Sequence, residues 1–314
     1  MDGGPVIEVE NLGKTYREVS ALSDVSFTVP TGSVLGLLGH NGAGKTTTVQ
    51  ILSTLIPPTS GRALVAGYDV VEQATQVRNN IGVTGQNACL DDLLTGRENL
   101  MLFGRLRGLR RKEARRRADE LIQQFDLGHA ADRPVQTYSG GMRRRVDIAI
   151  ALVLTPRVLF LDEPTTGLDP RSRRQVWELV SSLASEGVTV LLTTQYLEEA
   201  DVLSDSIVIL NSGRVVASGT AEELKARTGA TYCQVTLVHP ADIPRVSAAL
   251  SGIDEVDVDP EANTVSVRAV DGVGILGEVV RRTDQLGVEL IDISLRKPTL
   301  DEVFLHLTPT ALTP

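Results

Sequence analysis

An α/β fold followed by a smaller α+β unit is predicted by three features of the 314-residue chain. An apolar run, Val34 to Leu38, enters a glycine-rich turn, as a buried strand entering a phosphate-binding loop does. A second run, Val158 to Leu161, ends on two acids, Asp162 and Glu163. Beyond Ser218 the pattern becomes strand, helix, strand, strand, helix, strand, the element order of a ferredoxin-like fold.

The glycine turn, Gly39-His40-Asn41-Gly42-Ala43-Gly44-Lys45-Thr46-Thr47, fits the G-x-x-x-x-G-K-T pattern of a P-loop. Gly39, Gly42 and Gly44 permit the tight path on which backbone N–H groups converge on phosphate oxygens, with Asn41 and Ala43 inside the same cradle. A helix beginning near Lys45 adds the positive end of its dipole. Lys45 is expected to reach the β- and γ-phosphates and Thr46 to place its hydroxyl on Mg²⁺, while Thr47 carries the chain into the helix. ATP and Mg²⁺ are therefore the expected ligands.

Next come a strand-like Ile81 to Thr84, then Gln86, and then a helical region over about residues 87–137 in which Thr95 and Glu98 have capping-box spacing. This region holds Arg105, Arg107, Arg110, Arg111, Lys112, Arg115, Arg116 and Arg117. A solvated helix face is the first expectation for it, and anionic lipid or a membrane subunit's loops the second. Nucleic acid is not expected, because no aromatic residues interleave to stack on bases. Tyr138-Ser139-Gly140-Gly141-Met142 then opens a helix running through Val146 and Ile150, which presents free N–H groups to an anion. Four apolar residues ending in Asp162 and Glu163 make poor core unless a cation awaits them. Asp162 is the expected Mg²⁺-shell acid, and Glu163 is placed to orient the attacking water or accept its proton. Gly167-Leu168-Asp169-Pro170 follows, and Gln195 comes just past a strand at Thr189 to Thr193.

These motifs, in this order from about Val6 to Ser218, resemble the nucleotide-binding subunit of ABC transporters. The resemblance implies a P-loop NTPase domain over residues 1–228 with an inserted helical subdomain, and an accessory ferredoxin-like domain over 229–314. It implies that Ser139, Gly140 and Gly141 contact the γ-phosphate of ATP held by a second copy. Gln86 would touch the metal together with Thr46 and Asp162, and would couple the site to a membrane subunit. Asp169 would lie in the loop that crosses between subunits. Tyr16 would stack on adenine, although cross-strand packing is an equal use of its ring. Gln195 stands where the family usually has histidine; a glutamine there can donate a hydrogen bond to the γ-phosphate but cannot take up or release a proton as imidazole does. Met142 replaces the usual glutamine. The strings S-G-G-M-R-R-R, T-T-Q-Y-L-E-E-A-D and K-P-T-L-D-E-V-F-L-H-L-T resemble the daunorubicin-resistance branch. ATP hydrolysis driving export of an amphiphilic drug or lipid through a separate integral-membrane permease is implied, with two identical subunits pairing on nucleotide. An importer subunit and a soluble, non-transport ABC ATPase are the alternatives.

Composition agrees. With 42% hydrophobic residues and a mean hydropathy of +0.02, the chain can bury ample core despite a net charge of -9. No run approaches the ~18 apolar residues of a membrane span; the longest candidate, Ile148 to Leu161, is broken by Pro156 and Arg157. The amino terminus lacks a basic region leading into an apolar stretch, so a cytoplasmic protein is expected, and the resemblance implies a peripheral one on the cytoplasmic face of the membrane. Cys89 and Cys233, far apart in sequence, are expected to be reduced packing thiols. His239 and His306 have no partners nearby in sequence.

Overall fold

The computed structural model describes residues 4–85, 89–227, 231–269 and 273–307. The chain divides into two compact units, Met1–Ala221 and Glu222–Pro314.

The first unit opens with a long hairpin, β1 (Pro5–Tyr16) and β2 (Val19–Pro30), that leads into β3 (Val34–Leu38), the glycine loop and α1 (Lys45–Leu52). Strands β4 (Ser60–Val65) and β5 (Tyr68–Asp69) complete a four-stranded antiparallel sheet ordered β2-β1-β4-β5. Then follow α2 (Ala74–Asn80), β6 (Ile81–Thr84), α3 (Gly96–Leu106), α4 (Arg111–Gln124) and α5 (Gly140–Ala151). The unit continues with β7 (Val158–Asp162), α6 (Pro170–Ser185), β8 (Thr189–Thr194), α7 (Leu197–Leu203), β9 (Ser206–Asn211) and β10 (Arg214–Gly219).

The main sheet has the order β10-β9-β3-β8-β7-β6, parallel except for β10 at one edge. Its central strands are buried on both faces, which is why they read as continuous apolar runs. Alternate residues serve opposite cores. Leu159, Leu161, Val190 and Leu192 join α4, α5 and α6 on one face, while Val158, Phe160, Leu191, Leu35 and Leu37 join α1 and the antiparallel sheet on the other.

Local signals fix the helix starts. Thr95 caps α3: its hydroxyl accepts from the Glu98 amide at 3.1 Å, and Glu98 Oε2 accepts from the Thr95 amide at 2.9 Å. The arginine-rich stretch covers the end of α3 and the start of α4, and part of it is structural rather than solvated. Arg117 donates to the Leu152 and Val153 carbonyls at 2.9 and 3.3 Å, bracing α4 against the end of α5, and Arg107 donates to the Arg78 carbonyl at 3.2 Å. Among the described residues no helix is long and apolar enough to cross a membrane.

Helix α8 (Ala221–Arg227) precedes the second unit's sheet. That unit contains β11 (Thr231–Leu237), α9 (Ile243–Leu250), β12 (Val256–Asp259), β13 (Thr264–Ala269), α10 (Val273–Leu286), β14 (Leu290–Arg296) and α11 (Leu300–Leu307). Its sheet order, β12-β13-β11-β14 with antiparallel neighbours, is ferredoxin-like. Cys233, Val235 and Leu237 alternate inward against Val246, Leu250 and Val279. Thr299 and Glu302 cap α11 as their spacing predicts, at 2.7 and 3.3 Å.

Candidate active site

Three neighbouring strands deliver the site. In the order β3-β8-β7, Leu38 pairs with Thr194 and Asp162 pairs with Thr193. The glycine loop, Thr193 and Asp162 therefore emerge side by side at the carboxyl ends of parallel strands, the usual place for ligands on such sheets. On the far side of β7, Thr84 of β6 pairs with Leu161, which brings residue 85 alongside. Gln86 lies outside the described residues.

The loop needs its glycines. Gly42 and Gly44 have φ of 83° and 107°, a region that L side chains rarely adopt. A Cβ on Gly39 would stand 2.6 Å from the Leu210 carbonyl. Lys45 is buried, and its Nζ donates to the carbonyls of Gly39 at 2.8 Å and His40 at 3.3 Å, with Glu163 Oε1 at 3.6 Å. Burial lowers the Lys45 pKa, and the Glu163 carboxylate opposes that shift. The amides of Lys45, Thr46 and Thr47 begin a helix and have no intrahelical acceptor, which leaves them to phosphate.

Asp162 Oδ1 accepts from Thr193 Oγ1 at 2.5 Å and from Thr46 Oγ1 at 3.4 Å. A hydroxyl and a carboxylate meeting beside a phosphate cradle are the hard oxygen donors that Mg²⁺ takes, so these residues fit the ion. Glu163 follows with φ of 47°, a strained conformation for a non-glycine residue. Its amide is held by Thr193, through Oγ1 at 3.0 Å and the carbonyl at 3.1 Å. Gln195 is exposed just past β8, and with Asn41, Gly140 and Glu163 it lines a cleft of about 780 Å³.

Ser139 caps α5, its hydroxyl accepting from the Met142 amide at 3.3 Å, so Gly140 and Gly141 lie in the first turn. Asp169 caps α6, accepting from the amides of Arg171 and Ser172 at 3.0 Å and from Ser172 Oγ at 2.7 Å. The Ser172 hydroxyl is the main reason its carboxyl lies below the usual range. A Cβ on Gly141 would stand 2.6 Å from Ser172 Oγ, so the two motif segments pack directly on one another. Tyr16 sits at the tip of the β1–β2 hairpin, 43% exposed, paired in register with Val19 and with Lys14 Nζ 5.1 Å from its ring centroid. The same hairpin reaches the glycine loop, since a Cβ on Gly44 would meet Leu22 Cδ2 at 2.6 Å.

Comparison with known proteins agrees with this geometry. The ABC transporter family matches residues 22–166. The chain is 52% identical over 308 residues to the doxorubicin resistance ATP-binding protein DrrA of Mycobacterium tuberculosis, covering 96% of this chain and 93% of that one. The chain belongs to the ATP-binding subunits of ABC transporters. It is also 34% identical over 310 residues to the linearmycin resistance ATP-binding protein LnrL of Bacillus subtilis, covering 98% and 99% of the two chains. Among solved structures it is similar to a dimeric post-hydrolysis state of the ATP-binding cassette MJ0796 bound to ADP and Pi, with 28% identity and a TM-score of 0.62 over 68% of this chain and 98% of that one.

Three residues of this ABC subunit join the site without having been singled out from sequence. Thr193 ties Asp162 to the Glu163 amide; its signal was a polar Thr-Thr pair ending an apolar strand. Glu199 is fully buried, and its Oε1 accepts from Thr165 Oγ1 at 2.8 Å and Trp177 Nε1 at 3.1 Å, bracing the segment after Asp162 against α6 and α7. Arg144 is the third. Its signal was Asp147, an acid three residues on among Val146, Ile148 and Ala149, which calls for a buried partner.

Proposed function

We propose that this chain binds and hydrolyses MgATP as one of two identical subunits, and so energises export of an amphiphilic drug or lipid through a separate integral-membrane permease at the cytoplasmic face of the membrane. The observation that carries this reading is the convergence of Lys45, Thr46, Thr193, Asp162 and Glu163 at the carboxyl ends of the three adjacent strands β3, β8 and β7. The loop amides and Lys45 bind the triphosphate. Tyr16 offers an exposed ring to adenine at the tip of a hairpin that abuts the same loop. Mg²⁺, when bound, neutralises charge on the phosphate oxygens; Thr46 and Asp162 would hold it, with Gln86 as a further ligand.

Glu163 orients the attacking water and accepts its proton, while Gln195 donates a hydrogen bond at the γ-phosphate. The Ser139–Gly141 segment of a second copy would complete each site, because its capped helix start presents free amides to an anion. The second unit, Glu222–Pro314, would act as an accessory domain. Drug resistance in the names of the relatives favours export.

Glu163→Gln tests the chemistry. This variant should keep its affinity for a fluorescent ATP analogue within about twofold and lose turnover by about 10²-fold or more, the span a general base supplies. Near-native phosphate release by Glu163→Gln removes the acid from its role. Cells carrying the chain with its permease should accumulate less doxorubicin than cells carrying the Glu163→Gln form, and equal accumulation argues against drug export.

A further inference from the structure

Arg144 is the buried charge that the hydrolytic reading leaves without a task. It lies in α5, five residues after Ser139, and is 9% exposed. Each of its three guanidinium nitrogens is engaged. Nε donates to the Pro164 carbonyl at 3.0 Å and Nη2 to the Asp162 carbonyl at 3.1 Å, while Nη1 donates to the Gly85 carbonyl at 2.9 Å and to Asp147 Oδ2 at 3.0 Å. Burial lowers its pKa and Asp147 opposes the shift. Asp147, raised by burial, is itself drawn down by Arg144 and by the backbone amide of Cys89. The pair thus reaches the Gly85 carbonyl after β6 as well as the backbone after β7.

The placement of these bonds is specific. The carbonyls of Asp162 and Pro164 lie on either side of Glu163, whose own φ is 47°. One planar fork therefore pins the backbone before and after the acid that sits in the strained conformation. A buried ion pair seldom adds net stability over apolar residues of the same size, so cohesion alone is a poor account of it. What a rigid, multidentate fork supplies, and a lysine or methionine does not, is orientation.

We propose that Arg144 is a positioning residue that locks the Ser139–Gly141 helix to the backbone around Glu163, so that the segment serving one nucleotide moves with the acid serving the other. This rests on the paired-subunit reading above. In a pair, the Ser139 end of α5 faces the partner's ATP while Glu163 acts on its own, and the Arg144 fork is the rigid connection between them within one chain.

The test compares the full chain with Arg144→Lys, which keeps the charge and loses the fork, and with the double variant Arg144→Met/Asp147→Leu, which buries no charge and keeps the readout available should the lysine variant fold poorly. Affinity for a fluorescent ATP analogue should stay within about twofold, because none of the Arg144 bonds is to the Gly39–Thr47 loop. Turnover should fall by tenfold or more in both variants, and the Hill coefficient for ATP should drop from above 1 towards 1. A merely structural role lowers the active fraction and leaves the Hill coefficient unchanged. If wild type is cooperative and folded Arg144→Lys matches it in kcat and Hill coefficient, the proposal is overturned alone. If wild type shows neither cooperativity nor a nucleotide-trapped dimer, the paired-subunit reading falls and takes the proposal with it.

Discussion

Glu199 shows how far a single side chain departs from its ordinary chemistry here. Burial raises its pKa above the usual value of 4.5, against the pull of hydrogen bonds from Thr194, Thr165 and Trp177. An acid that holds its proton more tightly when folded contributes stability below the ordinary glutamate range, and that contribution is lost as pH rises through the raised value. Glu199→Gln keeps an acceptor for Thr165 and Trp177 and abolishes the titration. Urea midpoints for this variant should therefore change less between pH 5 and pH 8 than those of wild type; an unchanged pH slope would show that Glu199 does not hold its proton. The sequence singled out Gly39 to Thr47 with Asp162 and Glu163 by spacing alone, and the fold brings these segments together. It could not say which of Arg143, Arg144 and Arg145 turns inward. Three identical side chains in a row differ only in which helix face meets β6 and β7, and packing decides that.

Between elements, α5 and α6 approach closely at Gly141. A Cβ on Gly141 would lie 2.6 Å from Ser172 Oγ and 2.7 Å from Ser172 Cβ, so rotating the serine gives no escape. Gly141→Ala should destabilise the chain by about 1–3 kcal/mol, the usual cost of overpacking. Adding Ser172→Gly should return most of that loss in a denaturant titration, and no recovery would show that the contact is not the cause. Strands β3, β7 and β8 were legible because burial on both faces leaves unbroken apolar runs, and the start of α3 because its capping box is local. The order β3-β8-β7 was not legible, since a strand from late in the chain inserts between two earlier ones. The antiparallel sheet of β1, β2, β4 and β5 was not read either. Its pairings shift register at several points along β1, and Asn11 and Asp24 take positive φ, which breaks the alternation a strand would show.

The molecule as a whole keeps separate cores in its two units, and its two thiols report on them independently. Cys233 is fully buried in the second unit, where desolvation pushes its pKa up to about 11, whereas Cys89 is exposed in the first. The thiolate is the reactive form. A maleimide at neutral pH should therefore label one cysteine promptly in the native protein and the second only on unfolding, as read by mass spectrometry; two fast labels would mean that the second core is open. At this scale the sequence shows a change of periodicity beyond Ser218, while the site depends on strands that meet only after folding. Placing an amide at Gln195, beside Glu163 in the cleft, has a physiological corollary. Imidazole at that position would pick up a proton as the cell interior turned mildly acidic, whereas a carboxamide keeps the same donor throughout. With the role proposed for Gln195, ATP turnover would carry no pH step from that position.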